Sequence, residues 1–193
     1  MEISRKTTMH GFYCKAGRHG QAGFTLVELM IVIVVIAILS AIAVPNIISW
    51  LPNYRLKSAA RDLFSNMQKA RMQAVKENKN IVTRFDASIN PGFYYFDTDN
   101  NNAYTAGEYR IDLSIYKSGV DYGTGNAAFK WNGGNCTQAA SITFNSRGTS
   151  NSKTVYIQNQ NNDICYAITG RSSGSIKLRK YNGGLPFNQN NWN

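Results

Sequence analysis

Residues 24–44, FTLVELMIVIVVIAILSAIAV, form an apolar run in which Glu28 is the only charge. As an α-helix this stretch rises about 30 Å, the thickness of a bilayer's hydrocarbon core. So long an apolar block constrains the chain more than any other feature, and it predicts one membrane-spanning helix over 24–44. The segment ahead of it carries Arg5, Lys6, Lys15 and Arg18 against Glu2, which is +3 of the net +10 and leaves +7 after Gly23. Positive charge favours the cytoplasmic side, so residues 1–23 are expected there and everything beyond residue 44 outside the inner membrane, with a single pass through it. A secretory signal would place a shorter apolar stretch before a small-residue cleavage site. Here Gly23 precedes the apolar run.

The remainder of the 193-residue chain has room for one globular domain. Pro45 and Pro52 each remove a backbone donor, which predicts a kink or local unwinding over 46–53. Beyond them Leu56, Ala60, Leu63, Met67, Ala70 and Ala74 recur at intervals of three and four, marking one apolar face of a helix that a sheet would cover. Arg55, Lys57, Arg61, Lys69 and Lys76 fall largely off that face, as solvated charges do. From Ile81 onward helical periodicity gives way to short β-branched and aromatic runs separated by Gly, Asn and Asp. Strands are expected at 81–85, 93–96, 109–116, 128–131, 141–144, 154–158, 164–168 and 175–180. Asn132-Gly133 and Asn182-Gly183 mark turns, 158–162 reads as a loop and 188–193 as a frayed tail. The fold class that follows is α+β: a long N-terminal helix, membrane-spanning over 24–44 and amphipathic over 45–80. It packs against a mostly antiparallel sheet of six to eight strands in a β-rich domain over 81–193.

The titratable residues narrow the chemistry. Both histidines, His10 and His19, precede Gly23, so a chain cut there has no imidazole for acid–base, nucleophile-activating or metal-ligating work. No pair of carboxylates is recommended by its context, and an enzyme is not expected. Cys14 also precedes Gly23, leaving Cys136 and Cys165. In an oxidising compartment an even pair reads as a disulfide, worth about 3–4 kcal/mol in the chain-entropy model; two unpaired thiols are the alternative. The excess of basic residues could attract nucleic acid, anionic lipid or an acidic partner, or serve simply as a solvated surface.

One acidic segment has a spacing of its own. In 97–108, DTDNNNAYTAGE, oxygen-bearing side chains stand at the first, third, fifth and twelfth positions of a calcium-loop template: Asp97, Asp99, Asn101 and Glu108. The template's sixth position requires a left-handed backbone, which Gly adopts most easily; Asn102, which stands there, tolerates it next best. No flanking helices are expected, so this would be an isolated loop between strands, and an Asx-rich hairpin tip without metal is the alternative. Calcium is the one cofactor the sequence raises.

Gly23-Phe24-Thr25-Leu26-Val27-Glu28 followed by the apolar run resembles the prepilin peptidase site of type IV pilins and type II secretion pseudopilins. The resemblance implies cleavage after Gly23, methylation of the new amino group of Phe24, and a role for Glu28 in neutralising that amine on a neighbouring subunit, which sets subunit register. Glu28 by itself is an ionisable group in an apolar span, costing a few kcal/mol unless partnered, or snorkelling to the membrane surface. The C-terminal half resembles the GspH/FimT family of minor pseudopilins and minor pilins. Phe144-Asn145-Ser146-Arg147-Gly148 is similar to its Phe-x-x-x-Gly turn, and Gly174-Ser175-Ile176-Lys177-Leu178 stands where its final Gly-Arg-x-Arg strand would fall. The family implies a pilin-like fold and a scarce filament subunit that assists initiation. Its partners would be other pilins or pseudopilins, the prepilin peptidase and an inner-membrane assembly platform. In FimT-type pilins the Gly-Arg-x-Arg strand is associated with DNA uptake. Ser175 and Lys177 depart from that pattern and lose at least one bidentate phosphate contact, while Arg171, Lys177, Arg179 and Lys180 would still form a basic patch for DNA.

Overall fold

The computed structural model describes residues 23–117, 119–183 and 191–193. Most of the expected leader, with Cys14, His10 and His19, lies outside the described residues, as do residues 188–190 of the expected tail. The chain divides into two compact units, one ending at Ala43 and the other spanning Val44–Asn193.

Helix α1 (Leu26–Lys76) runs for 51 residues. Thr25 starts it: its Oγ1 accepts the Glu28 backbone N–H at 3.1 Å, a Thr-x-x-Glu cap that satisfies one of the donors left free in the first turn. The unwinding expected over 46–53 does not occur, since the helix continues through both Pro45 and Pro52. Each proline deletes only its own donor, and the ladder on either side of it carries on; between the two, Ser49 Oγ donates to the Asn46 carbonyl at 2.8 Å.

In the Val44–Asn193 unit the apolar face of α1 is the one its periodicity predicts. Leu56, Ala60, Leu63, Met67, Ala70 and Ala74 are fully buried, and Ala59 joins them. They share one core with Ile81, Tyr94, Phe144, Ile157 and Ile168 from the strands. Four of these seven helix positions are alanine, which keeps this face low and lets large strand side chains fill the space above it.

Two four-stranded antiparallel sheets form where a single sheet is expected. Strands β1 (Ile81–Asp86), β2 (Phe93–Asp97), β3 (Arg110–Asp112) and β5 (Ser141–Phe144) make the first, in the order β3-β2-β1-β5. The second is β4 (Asp121–Tyr122), β6 (Lys153–Gln158), β7 (Cys165–Gly170) and β8 (Ile176–Tyr181), in the order β4-β6-β7-β8. The split comes where the chain leaves β5: β6 pairs with β4 and β7 instead of continuing the first sheet. Three further expectations change. The strand expected over 109–116 stops at Asp112 and becomes a 3-10 turn, Leu113–Tyr116, with Leu113 driven into the core and the Tyr116 hydroxyl donating to Asp62 of the helix at 2.9 Å. Residues 128–131 form no strand: a single bridge joins Phe129 to Asn135 around the Asn132-Gly133 turn, where the Gly133 N–H donates to Lys130 at 3.0 Å. β4 is only two residues long and leaves no periodic signal.

The end of the chain is not frayed over residues 191–193. Lys180 and Asn193 exchange backbone hydrogen bonds at 2.8 and 2.9 Å, and Asn182 donates to Asn191 at 3.0 Å. Trp192 is buried among Tyr156, Tyr181 and Trp131, its indole N–H donating to the Phe129 carbonyl at 2.8 Å. This second, smaller core closes the face of the β4-β6-β7-β8 sheet opposite the helix-lined one.

Candidate functional site

From Gly23 to Trp50 every residue is exposed, Phe24 to 85%. This stem is long and apolar enough to cross a membrane, and it is exposed throughout among the described residues. An apolar surface of that size needs lipid or other apolar stems around it. Glu28 lies in the first turn of α1, where the helix dipole favours a negative charge, and its carboxylate has no partner among the described residues. Thr25, whose capping role is local chemistry readable from Thr-x-x-Glu, completes the group of Gly23, Phe24 and Glu28 at this end.

The loop from Asp97 to Glu108 joins β2 to β3, between strands as expected. One carboxylate oxygen from each of Asp97, Asp99 and Glu108 lies within 4.8 Å of the others. Asn100 and Asn102 take left-handed conformations (φ 60° and 67°), so the sixth position of the template has the backbone it requires. Asp97 is fully buried at the end of β2, opposite Val82 of β1. Its Oδ2 accepts from Arg84 Nε at 2.5 Å and from the Asn102 N–H at 3.2 Å. Arg84 also donates to Asn102 Oδ1. Burial pushes the Asp97 carboxyl up, but the Arg84 guanidinium and the Asn102 amide outweigh it and hold the group below the usual carboxylate range. Glu108 closes the loop, Oε1 accepting from Thr98 N–H at 2.7 Å and Oε2 from Thr105 N–H at 3.1 Å. Asn101 donates to both oxygens of Asp99, through its backbone N–H at 3.1 Å and its side-chain amide at 2.9 Å.

Two residues outside the sequence template anchor this loop. Arg84 sits in the middle of a β-branched strand, and nothing local marks it as the partner of a residue thirteen positions away. Asn66 is a buried amide on the apolar side of α1, donating to the Tyr94 hydroxyl at 2.7 Å and accepting from the Tyr109 hydroxyl at 3.3 Å. An Asn interrupting an apolar face was the available signal for it, since a buried amide must find partners.

The basic residues near the C-terminus do not form one surface. Lys177 and Arg179 share one face of β8, and Lys180 lies on the other with Ile176 and Leu178. Arg179 packs over the Trp131 ring at 4.0 Å from its centroid, and burial together with the charge of Arg171 lowers its pKa. Arg171 and Lys177 are exposed. The turn between β7 and β8 is held against the β5–β6 turn: Gly148 and Gly174 both have positive φ (73° and 78°), and a Cβ on Gly174 would overlap the Gly148 carbonyl oxygen, which accepts from Arg71 Nε of the helix at 2.8 Å.

Cys136 and Cys165 are free thiols in the structure. Both pack on the Tyr156–Trp192 core, Cys165 buried and Cys136 half-buried. Burial pushes the Cys165 thiol up to about 12, with Cys136 nearby adding to the effect.

Comparison with known proteins places these features in a family. Residues 18–44 match the prokaryotic N-terminal methylation motif, and residues 59–174 match the family of type II transport protein GspH. The chain belongs to the GspH family. The family match takes in the apolar face of α1 from Ala59 onward, both sheets up to β7, and the Gly148 and Gly174 turns; β8 lies beyond it. A fimbrial protein of Pseudomonas aeruginosa is 33% identical over 103 residues, 52% of this chain and 64% of that protein, so this chain spans less than two thirds of that relative's length. The minor pseudopilin EpsH from the type 2 secretion system of Vibrio cholerae superimposes with a TM-score of 0.44 at 14% identity, covering 64% of this chain and 95% of that one.

Proposed function

We propose that this GspH-family chain is a minor subunit of a type IV-like filament, stored in the inner membrane by its apolar stem and drawn into the filament when that stem exchanges lipid for the stems of neighbouring subunits. The observation behind this reading is the run from Phe24 to Trp50, every residue of which is exposed and whose one charge, Glu28, has no partner among the described residues. In a head-to-tail interface the same surfaces repeat without closing, which builds a helix of subunits. Cleavage after Gly23 would expose the Phe24 amine. An ammonium facing Glu28 of the next subunit would neutralise both groups in an apolar setting, where an unpaired charge is costly. The subunit would be few in number and would assist initiation of a secretion pseudopilus or a type IV pilus, with residues 45–193 in the periplasm. Its partners would be other pilins, the prepilin peptidase and the assembly platform. The role is structural, with no catalytic constellation required. Mass spectrometry of the chain extracted from membranes tests this: a start at Phe24 carrying one added methyl group is expected, and retention of residues 1–23 would refute it.

In the oxidising periplasm Cys136 and Cys165 would transfer two electrons to the disulfide of a thiol oxidant, each losing its proton and joining sulfur to sulfur. The second functional reading, DNA capture at a filament tip, would rest on Arg171 and Lys177. With Arg179 engaged by Trp131 and Lys180 on the opposite face, the exposed cationic surface is small. A mobility-shift assay on the full chain in detergent, showing no binding that weakens with salt, would remove it.

A further inference from the structure

The Asp97 carboxylate is the most unusual polar group in the described residues. It is 0% exposed, and its Oδ1 has no hydrogen-bond partner. Oδ2 is taken by Arg84 and by the Asn102 amide, and the Asn100 backbone N–H also supports the charged carboxyl, while Oδ1 has no donor at hydrogen-bonding geometry. A buried anionic oxygen without a donor is costly, and a bound ion or water is one of the few arrangements that offsets that cost. What surrounds it is more negative charge: oxygens of Asp97, Asp99 and Glu108 lie within 4.8 Å of one another, against the single positive charge of Arg84. Three carboxylates held that close repel one another unless a cation lies between them.

From these observations we infer that the β2–β3 loop is a calcium site, bound through Asp97, Asp99, Asn101 and Glu108. Calcium takes six to eight oxygens, and the loop supplies them in the order its backbone dictates. Asp97 offers Oδ1, Asp99 and Asn101 one side-chain oxygen each, Ala103 at the seventh position its carbonyl, and Glu108 two oxygens, with water completing the shell. Left-handed Asn100 and Asn102 curl the chain within the loop. Backbone amides already hold the Asp99 and Glu108 carboxylates and the Asn101 side-chain oxygen within the loop before any ion arrives. Magnesium fits poorly, because it demands a tighter octahedral shell and gives up water reluctantly.

The ion would act beyond the loop. Tyr109 follows Glu108 directly; its hydroxyl donates to Asn66 of α1, and Lys69 lies 5.8 Å above its ring. Fixing Glu108 therefore fixes the edge of the first sheet against the helix. Calcium would tie the loop to the amphipathic half of α1 and stiffen the face that the loop presents to other subunits.

The test uses the full chain in detergent micelles, stripped with chelator and dialysed. Calcium chloride and magnesium chloride are titrated separately by calorimetry, and terbium binding is followed by luminescence sensitised through Tyr104 in the loop. One saturable calcium site is expected, with a dissociation constant on the order of 10⁻⁴ M, typical of modules outside the cytoplasm. Calcium should displace terbium, and tenfold more magnesium should not. Asp99→Asn and Glu108→Gln should each weaken binding about tenfold or more, since affinity follows the number of charged ligands. Asp99 is exposed and among the described residues bonds only Asn101, so its variant keeps the fold, which circular dichroism verifies. Absence of a saturable calcium signal in the parent chain, or variants that bind calcium as tightly as the parent does, would overturn the inference.

Discussion

Replacing Gly174 by alanine isolates the contact that holds the two sheet-end turns to the helix. Gly174 sits at φ +78°, where a side chain costs about 1–2 kcal/mol. The new Cβ would also overlap the Gly148 carbonyl, so one of the two turns must move. That movement breaks the hydrogen bond from Arg71 Nε to Gly148 O, 2.8 Å long and charge-assisted, which is worth about 1.5–3 kcal/mol. The expected loss is therefore about 2.5–5 kcal/mol. Gly107→Ala provides the control: its φ is +104°, but a Cβ there meets nothing within 4 Å, so only the backbone cost of about 1 kcal/mol should appear. Urea unfolding of the full chain in detergent, with chelator present and near-ultraviolet circular dichroism as the readout, gives both midpoints. In an Arg71→Ala background the cost of Gly174→Ala should fall by the energy of the hydrogen bond already lost. A Gly174→Ala loss no larger than that of Gly107→Ala would show that the two turns move apart freely, and the reasoning would fail.

Other consequences follow from the same structure. Glu28→Ala should insert into membranes normally but enter filaments poorly, measured as the ratio of sheared-filament to membrane signal on immunoblots; unchanged incorporation would contradict the pairing with Phe24. The Asp97 carboxyl is held below its ordinary range by Arg84 despite its burial, so its folded pKa lies under the unfolded value near 4. Its contribution to stability is thus present above about pH 4 and is lost as pH falls through the folded pKa, and Asp97→Asn should flatten that acid limb in urea midpoints taken from pH 5 downward. The raised thiol of Cys165 acts in the opposite direction: stability it contributes is intact below its unfolded value near 8.5 and declines as pH rises toward about 12. In the folded, reduced chain iodoacetamide should label Cys136 before Cys165. After oxidation with glutathione disulfide, neither should label and intact mass should drop by two hydrogens; preferential labelling of Cys165 would contradict the burial assigned to it.

The apolar stem, its single acid and the apolar face of α1 were determined by the sequence itself, because each is a local property: an unbroken run, one charge within it, a repeat with the period of one helix. Leu56, Ala60, Leu63, Met67, Ala70 and Ala74 are all buried for that reason. The left-handed Asn102 follows from the same kind of local chemistry. Only tertiary structure decided how the strands divide into two sheets, since that depends on which distant runs pair after β5. It also placed Arg84 on Asp97, split Arg179 from Lys180 across β8, and docked Trp192 over Tyr156 and Tyr181. These outcomes rest on registers and burials summed over the whole domain, and the short segments involved, two residues in β4 and three at the chain end, carry too few side chains to announce them.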